Sequence, residues 1–120
     1  MRISKEMKPV SIIIHKNSKI IEISFDDDSK FMLTFEFLRV NSPSAEVKGH
    51  GPGQEVLQVE KQNVDILSIE QVGNYAIKPT FSDGHDTGLF SWNYLYEICI
   101  NKEKIWDKYL KKLKKDGKKR

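Results

Sequence analysis

The chain has 120 residues, enough for one domain, because a compact fold of this size buries roughly two-thirds of the surface its unfolded chain exposes. Apolar residues at 38% with twelve aromatics supply an ordinary core, while 31% charged residues keep the exterior wet, which excludes wholesale disorder. The net charge of +3 hides an asymmetry: residues 101–120 hold ten Lys/Arg against three Asp/Glu, a surplus of +7, and residues 1–100 carry −4.

Residues 1–9 read as a loose arm ending at Pro9, charged and without the apolar run of a signal peptide. Apolar runs such as Ile12-Ile13-Ile14 fall far short of the roughly 20 residues that cross a bilayer. The lone Cys99 cannot form an internal disulfide, and the sum predicts a cytoplasmic protein without a membrane partner.

From Val10 the pattern becomes β. Val10–Ile14 is rich in β-branched residues, and Ile21, Ile23 and Phe25 alternate with Glu22 and Ser24. His15-Lys16-Asn17-Ser18 supplies the turn between these two strands, with Asn17 as the residue that tolerates a left-handed conformation. Asp26–Ser29 turns the chain again, into a short strand over Phe31–Leu33.

Thr34 offers an N-cap hydroxyl to a short helix with Phe35, Phe37, Leu38 and Val40 on its apolar side, ending near Asn41. Ser42–Gly53, with three glycines and two prolines, reads as the longest irregular segment, and long loops in compact domains are often functional. Gly49-x-Gly51-x-Gly53 lacks the following Lys-Ser or Lys-Thr of a phosphate loop, so its glycines predict a close approach of two backbone segments instead.

Val64–Ile69 resumes strand character. A hairpin at Gly73-Asn74 leads to a partner strand with Tyr75, Ile77 and Phe81 on one face and Ala76, Lys78 and Thr80 on the other; Pro79 belongs on an edge or at a bulge. Asp83–Gly88 is a tight turn before a short strand at Leu89-Phe90. Ser91 then caps one long helix carrying Leu95, Ile98, Ile105, Trp106, Tyr109, Leu110 and Leu113, closed by Gly117. The fold class is α+β: a mostly antiparallel sheet, a short central helix and a long amphipathic C-terminal helix over residues 10–113, followed by a basic tail over 114–120.

No constellation marks an enzyme. Cys99 lies in a helical pattern beside Ile98 and Ile100, where a free cysteine behaves as a small hydrophobe, and no serine sits in a Gly-x-Ser-x-Gly elbow. His50 and His85, the latter flanked by Asp83 and Asp86, are the alternative metal or small-ligand site, but the usual paired-ligand spacings are missing. Trp106 and Tyr109 fall on the apolar stripe of the helix, so only the tail lysines speak for nucleic acid, as weak, salt-sensitive binding. No cofactor is expected.

Leu38-Arg39-Val40-Asn41-Ser42-Pro43-Ser44-Ala45-Glu46-Val47, Gly49-His50-Gly51-Pro52-Gly53-Gln54, Val72–Ile77 and Asp83–Gly88 through Ser91-Trp92 together resemble a bacterial family similar to the N-terminal domain of gamma-butyrobetaine hydroxylase, over about residues 10–113. The resemblance implies a domain outside the catalytic iron/2-oxoglutarate unit that binds zinc through three cysteines and a later histidine. Here the cysteine positions read Ser42, Ser44 and Val47, and only His85 matches, which implies a degenerate zinc site with no metal. Similar domains also occur fused to P-loop iron–sulfur cluster carriers. That implies an accessory role beside such carriers or oxygenases; with one cysteine this chain cannot hold a cluster itself, so the link would run through a protein partner. The expected interaction face comprises Arg39, Asn41, Ser42, Glu46, His50, Gln54, Asp83, His85, Asp86 and Trp92.

Overall fold

The computed structural model describes residues 7–49, 51 and 53–120. Strands β1 (Pro9–His15), β2 (Ile20–Phe25) and β3 (Lys30–Thr34) form an antiparallel meander in that spatial order. The alternation read in β2 is realised, with Ile21, Ile23 and Phe25 buried and Glu22 and Ser24 facing outward. Pro9 is the first residue of β1, Met7 packs on the core, and the Lys8 carbonyl accepts from the Asp26 amide at 3.0 Å. The arm expected over residues 1–9 is thus tied down from Met7 onward. His15 ends β1 instead of opening the turn, and the left-handed residue there is Lys19 (φ 56°), not Asn17.

Helix α1 (Phe35–Val40) starts at Thr34, whose hydroxyl accepts from the Phe37 amide at 2.9 Å, and stops at Asn41. All six of its residues are buried, since it passes between the sheets and the C-terminal helices. The segment read as wholly irregular contains one helical turn, α2 (Ala45–Lys48), too short to leave a periodic signal. Gly49 follows at φ 73°, and a Cβ there would lie 2.0 Å from the Gln54 carbonyl oxygen, which is the close backbone approach expected of this glycine.

Strands β4 (Ile66–Val72), β5 (Ala76–Phe81) and β6 (Phe90–Ser91) form a second antiparallel sheet. The short β6 pairs only with Ala76 and Ile77, so Pro79 lies where β5 is locally an edge. Tyr75 departs from expectation: it belongs to the turn and is exposed, while Ile77, Pro79 and Phe81 form the inward row and Ala76 is also buried.

The predicted single C-terminal helix is two, α3 (Trp92–Ile100) and α4 (Lys102–Lys115). Asn101 interrupts them: its side-chain amide donates to the Glu97 carbonyl at 3.0 Å, the i−4 competition by which asparagine ends helices. Asn41 does the same to α1 through the Phe37 carbonyl at 2.9 Å. Leu110 lies on the exposed side of α4. At its end, Gly117 (φ 64°) donates to the Lys114 carbonyl and Lys118 to the Leu113 carbonyl, a Schellman closure.

One core unites both sheets with α1 and α3, through Ile21, Ile23, Phe25, Leu33, Phe35, Leu38, Ile66, Phe81, Phe90 and Leu95. A smaller cluster of Val40, Tyr109 and Leu113 fastens α4 to the extended segment at Leu57 and Val59. Among the described residues, no helix is long and apolar enough to cross a membrane.

Candidate functional site

The end of α1, the first turn of α2 and the loop after β5 meet at His85. Its ring is buried, with Nε2 2.7 Å from the Ser42 hydroxyl and 3.3 Å from that of Ser44, and Nδ1 3.2 Å from a Glu46 carboxylate oxygen. A carboxylate can only accept, so Nδ1 carries the ring proton and Nε2 accepts from serine. Thr87 donates to the other Glu46 oxygen at 3.0 Å, closing the cycle between the two loops. Burial, and after it the Arg39 guanidinium, holds the His85 pKa below the ordinary value despite the opposing pull of Glu46 and Asp83. The ring is therefore neutral at physiological pH.

Beside it, Arg39 leaves only 7% of its side chain exposed and donates from Nε to Asp83 at 2.9 Å and from Nη1 to Gln58 at 3.0 Å. Lys61 reaches the same Asp83 oxygen at 2.6 Å. Burial would raise the Asp83 pKa, but the Lys61 bond, the His85 amide and Arg39 together outweigh it and hold the carboxyl at about 2.

The two expected loop segments thus come together, yet not as a continuous exposed face. Arg39, Ser42 and His85 are buried and act as its internal fastening, whereas Glu46, Gln54, Asp83 and Asp86 are exposed and Asn41 is half-buried. Trp92 is a correction to the expected face: it is buried in the core, donating from its indole to the Asn74 carbonyl and from its amide to Tyr75, at the β4–β5 turn. His50 lies outside the described residues, and with it the pairing of His50 with His85. Sequence reading missed Gln58 and Lys61, which sit in a segment without a motif that could have marked them; Tyr109, expected on the apolar stripe of the C-terminal helix, is buried there and its hydroxyl donates to the Gln58 carbonyl at 2.7 Å.

The residues present do not fit zinc. Two hydroxyls and Val47 stand with one imidazole, both of whose nitrogens are already hydrogen-bonded, and no three His, Cys, Asp or Glu side chains among the described residues group for a metal ion. The carboxylate–imidazole–hydroxyl order of Glu46, His85 and Ser42 has the polarity of a hydrolytic relay. Ser42 is fully buried, however, and the Cα of Gly88 lies so close that a Cβ there would stand 2.2 Å from the Ser42 hydroxyl. No substrate carbonyl can reach this oxygen. Cys99 is equally withdrawn, its thiol pushed up to about 12 by burial.

Two solution NMR structures resemble this chain closely: one shares 46% identity over 97% of this chain and 91% of its own, with a TM-score of 0.84, and the other 45% over 100% and 89%, with a TM-score of 0.83. A crystal structure of a protein with unknown function of the DUF971 family, from Acidithiobacillus ferrooxidans ATCC 23270, shares 35% identity over 76% of this chain and 91% of its own, with a TM-score of 0.61. No curated protein matches. Residues 12–96 match the family described as gamma-butyrobetaine hydroxylase-like, N-terminal, and the chain belongs to that family.

Proposed function

We propose that this protein is a non-catalytic interaction module whose contact surface is the pair of loops joined at His85. The observation that carries the reading is the Ser42–His85–Glu46–Thr87 chain of hydrogen bonds, which fixes two segments about forty residues apart in sequence and leaves Glu46, Asp86 and Gln54 outward. Loops cross-linked by hydrogen bonds lose less entropy on binding than free ones. The one potential nucleophile in the relay is sealed, which favours a binding role over turnover.

The family resemblance suggests an iron–sulfur carrier or an oxygenase as partner, reached through this surface and not through a cluster on this chain. The test is quantitative affinity capture with the parent and with a Glu46→Lys, Asp86→Lys variant whose NMR spectrum shows the parent fold. Selective loss of one or more captured proteins supports the surface. A folded variant that retains every partner overturns it.

A further inference from the structure

A groove of about 250 Å³ runs between α4 and the extended segment at residues 55–58, with the end of α2 closing one side. Val47 and Tyr109 lie against its floor, and Val56, 53% exposed, presents an aliphatic wall. Three lysines border it: Lys108 and Lys112, one turn apart on α4, and Lys48, whose ammonium stands over the neighbouring Tyr94 ring, 5.1 Å from its centre. Elsewhere Lys30, Lys61, Lys78 and Lys111 each pair with a carboxylate. Among the described residues none of the three groove lysines does, and Glu55 is the one acidic side chain in the lining, so the groove keeps a surplus of positive charge.

We propose that this groove binds an acidic, leucine-bearing segment of a protein partner, carboxylates meeting Lys48, Lys108 and Lys112 and an aliphatic side chain meeting Val56. The inference rests on the interaction-module reading and gives its partner a chemistry. An aliphatic wall inside a ring of cations suits a peptide that carries both features. It does not suit single-stranded nucleic acid, which needs exposed aromatic faces for its bases; the one ring in the lining, Tyr109, is buried and its hydroxyl is held by the Gln58 carbonyl. The groove adjoins the loop surface directly, since Val47 and Lys48 follow Glu46 on α2.

The probe is a short fluorescent peptide of glutamates interrupted by two leucines, measured by anisotropy, beside a leucine-free polyglutamate and an oligouridine of matched charge. The leucine peptide should bind, polyglutamate more weakly. A Lys48→Glu, Lys108→Glu, Lys112→Glu variant should weaken binding at least ~10-fold, while Lys104→Glu, Lys114→Glu, Lys115→Glu, which changes net charge equally, should weaken it far less. Amide shifts on titration should centre on Lys48 and Val56. Equal loss in both variants, preference for oligouridine, shifts centred elsewhere, or no binding at about 1 mM peptide would each overturn the groove. Any of those results alongside intact, Glu46- and Asp86-dependent partner capture removes the groove chemistry alone, whereas capture indifferent to Glu46 and Asp86 removes the loop surface.

Discussion

Replacing Gly88 by alanine drives a methyl carbon into the Ser42 hydroxyl. The built Cβ stands 2.2 Å from that oxygen, 3.3 Å from the Ser42 Cβ and 3.4 Å from the Pro43 ring. An ordinary contact of this kind is about 3.5 Å, so the hydroxyl must retreat by roughly 1 Å, breaking its 2.7 Å bond to His85. Gly88 is not among the positive-φ glycines, so the penalty is steric and not conformational. Overpacking at about 1–3 kcal/mol and a weakened buried hydrogen bond at about 1–2 kcal/mol give a loss of about 2–4 kcal/mol, with the Ser44 hydroxyl taking over part of the bond. Urea unfolding should show a midpoint lowered by about 1–2 M at an unchanged slope. Ser42→Ala alone should cost about 1–2 kcal/mol, and adding Gly88→Ala to it should cost less than about 1 kcal/mol more, because the offending oxygen is gone. A Gly88→Ala protein within about 0.5 kcal/mol of the parent, or effects that simply add, would refute the packing argument.

The depressed His85 pKa makes the unfolded chain take up a proton before the folded one does, so this contribution is intact above about pH 6.5 and is lost as pH falls through the folded value. Melting temperatures from pH 7.5 to 5 should fall in the parent and fall less in His85→Gln; parallel curves would contradict this. Asp83, held at about 2, adds a second loss that begins below about pH 4 and should vanish in Asp83→Asn. Native Cys99 should react with Ellman's reagent at pH 8 at least ~100-fold more slowly than in denaturant, and fast labelling of the folded protein would show that α3 is not packed as described. Thr34→Ala should cost about 1 kcal/mol through the lost α1 cap, checked by the same unfolding assay; no change would mean that the Phe37 amide finds water instead.

Where one face of an element is buried and the other wet, the residues announced it. The alternation of β2 and the Thr34 and Ser91 caps depend on neighbours in sequence, and they stand as expected. The break at Asn101 was hidden because the apolar spacing runs on through it: Ile98 and Ile105 remain in phase while a single asparagine side chain turns on the backbone. Tyr75 was misplaced because a two-residue period cannot say where a turn ends. At the candidate site, the family motifs marked two loops that do meet, but could not separate buried fastening from exposed side chains. Arg39 and Asp83 look like solvent groups in sequence, and only tertiary packing, 44 positions apart, buries Arg39 and gives it the Asp83 carboxylate as partner at the surface.

The Schellman closure of α4 sends residues 118–120 back across the molecule, where Lys119 accepts from the Glu60 amide at 3.1 Å and Arg120 grips the buried Glu36 at 2.8 Å. The last guanidinium is therefore anchored against α1, at the end of a stretch that carries +7 over its twenty residues. A basic stretch of this density draws acidic bodies toward the C-terminal segment before contact and repels basic ones.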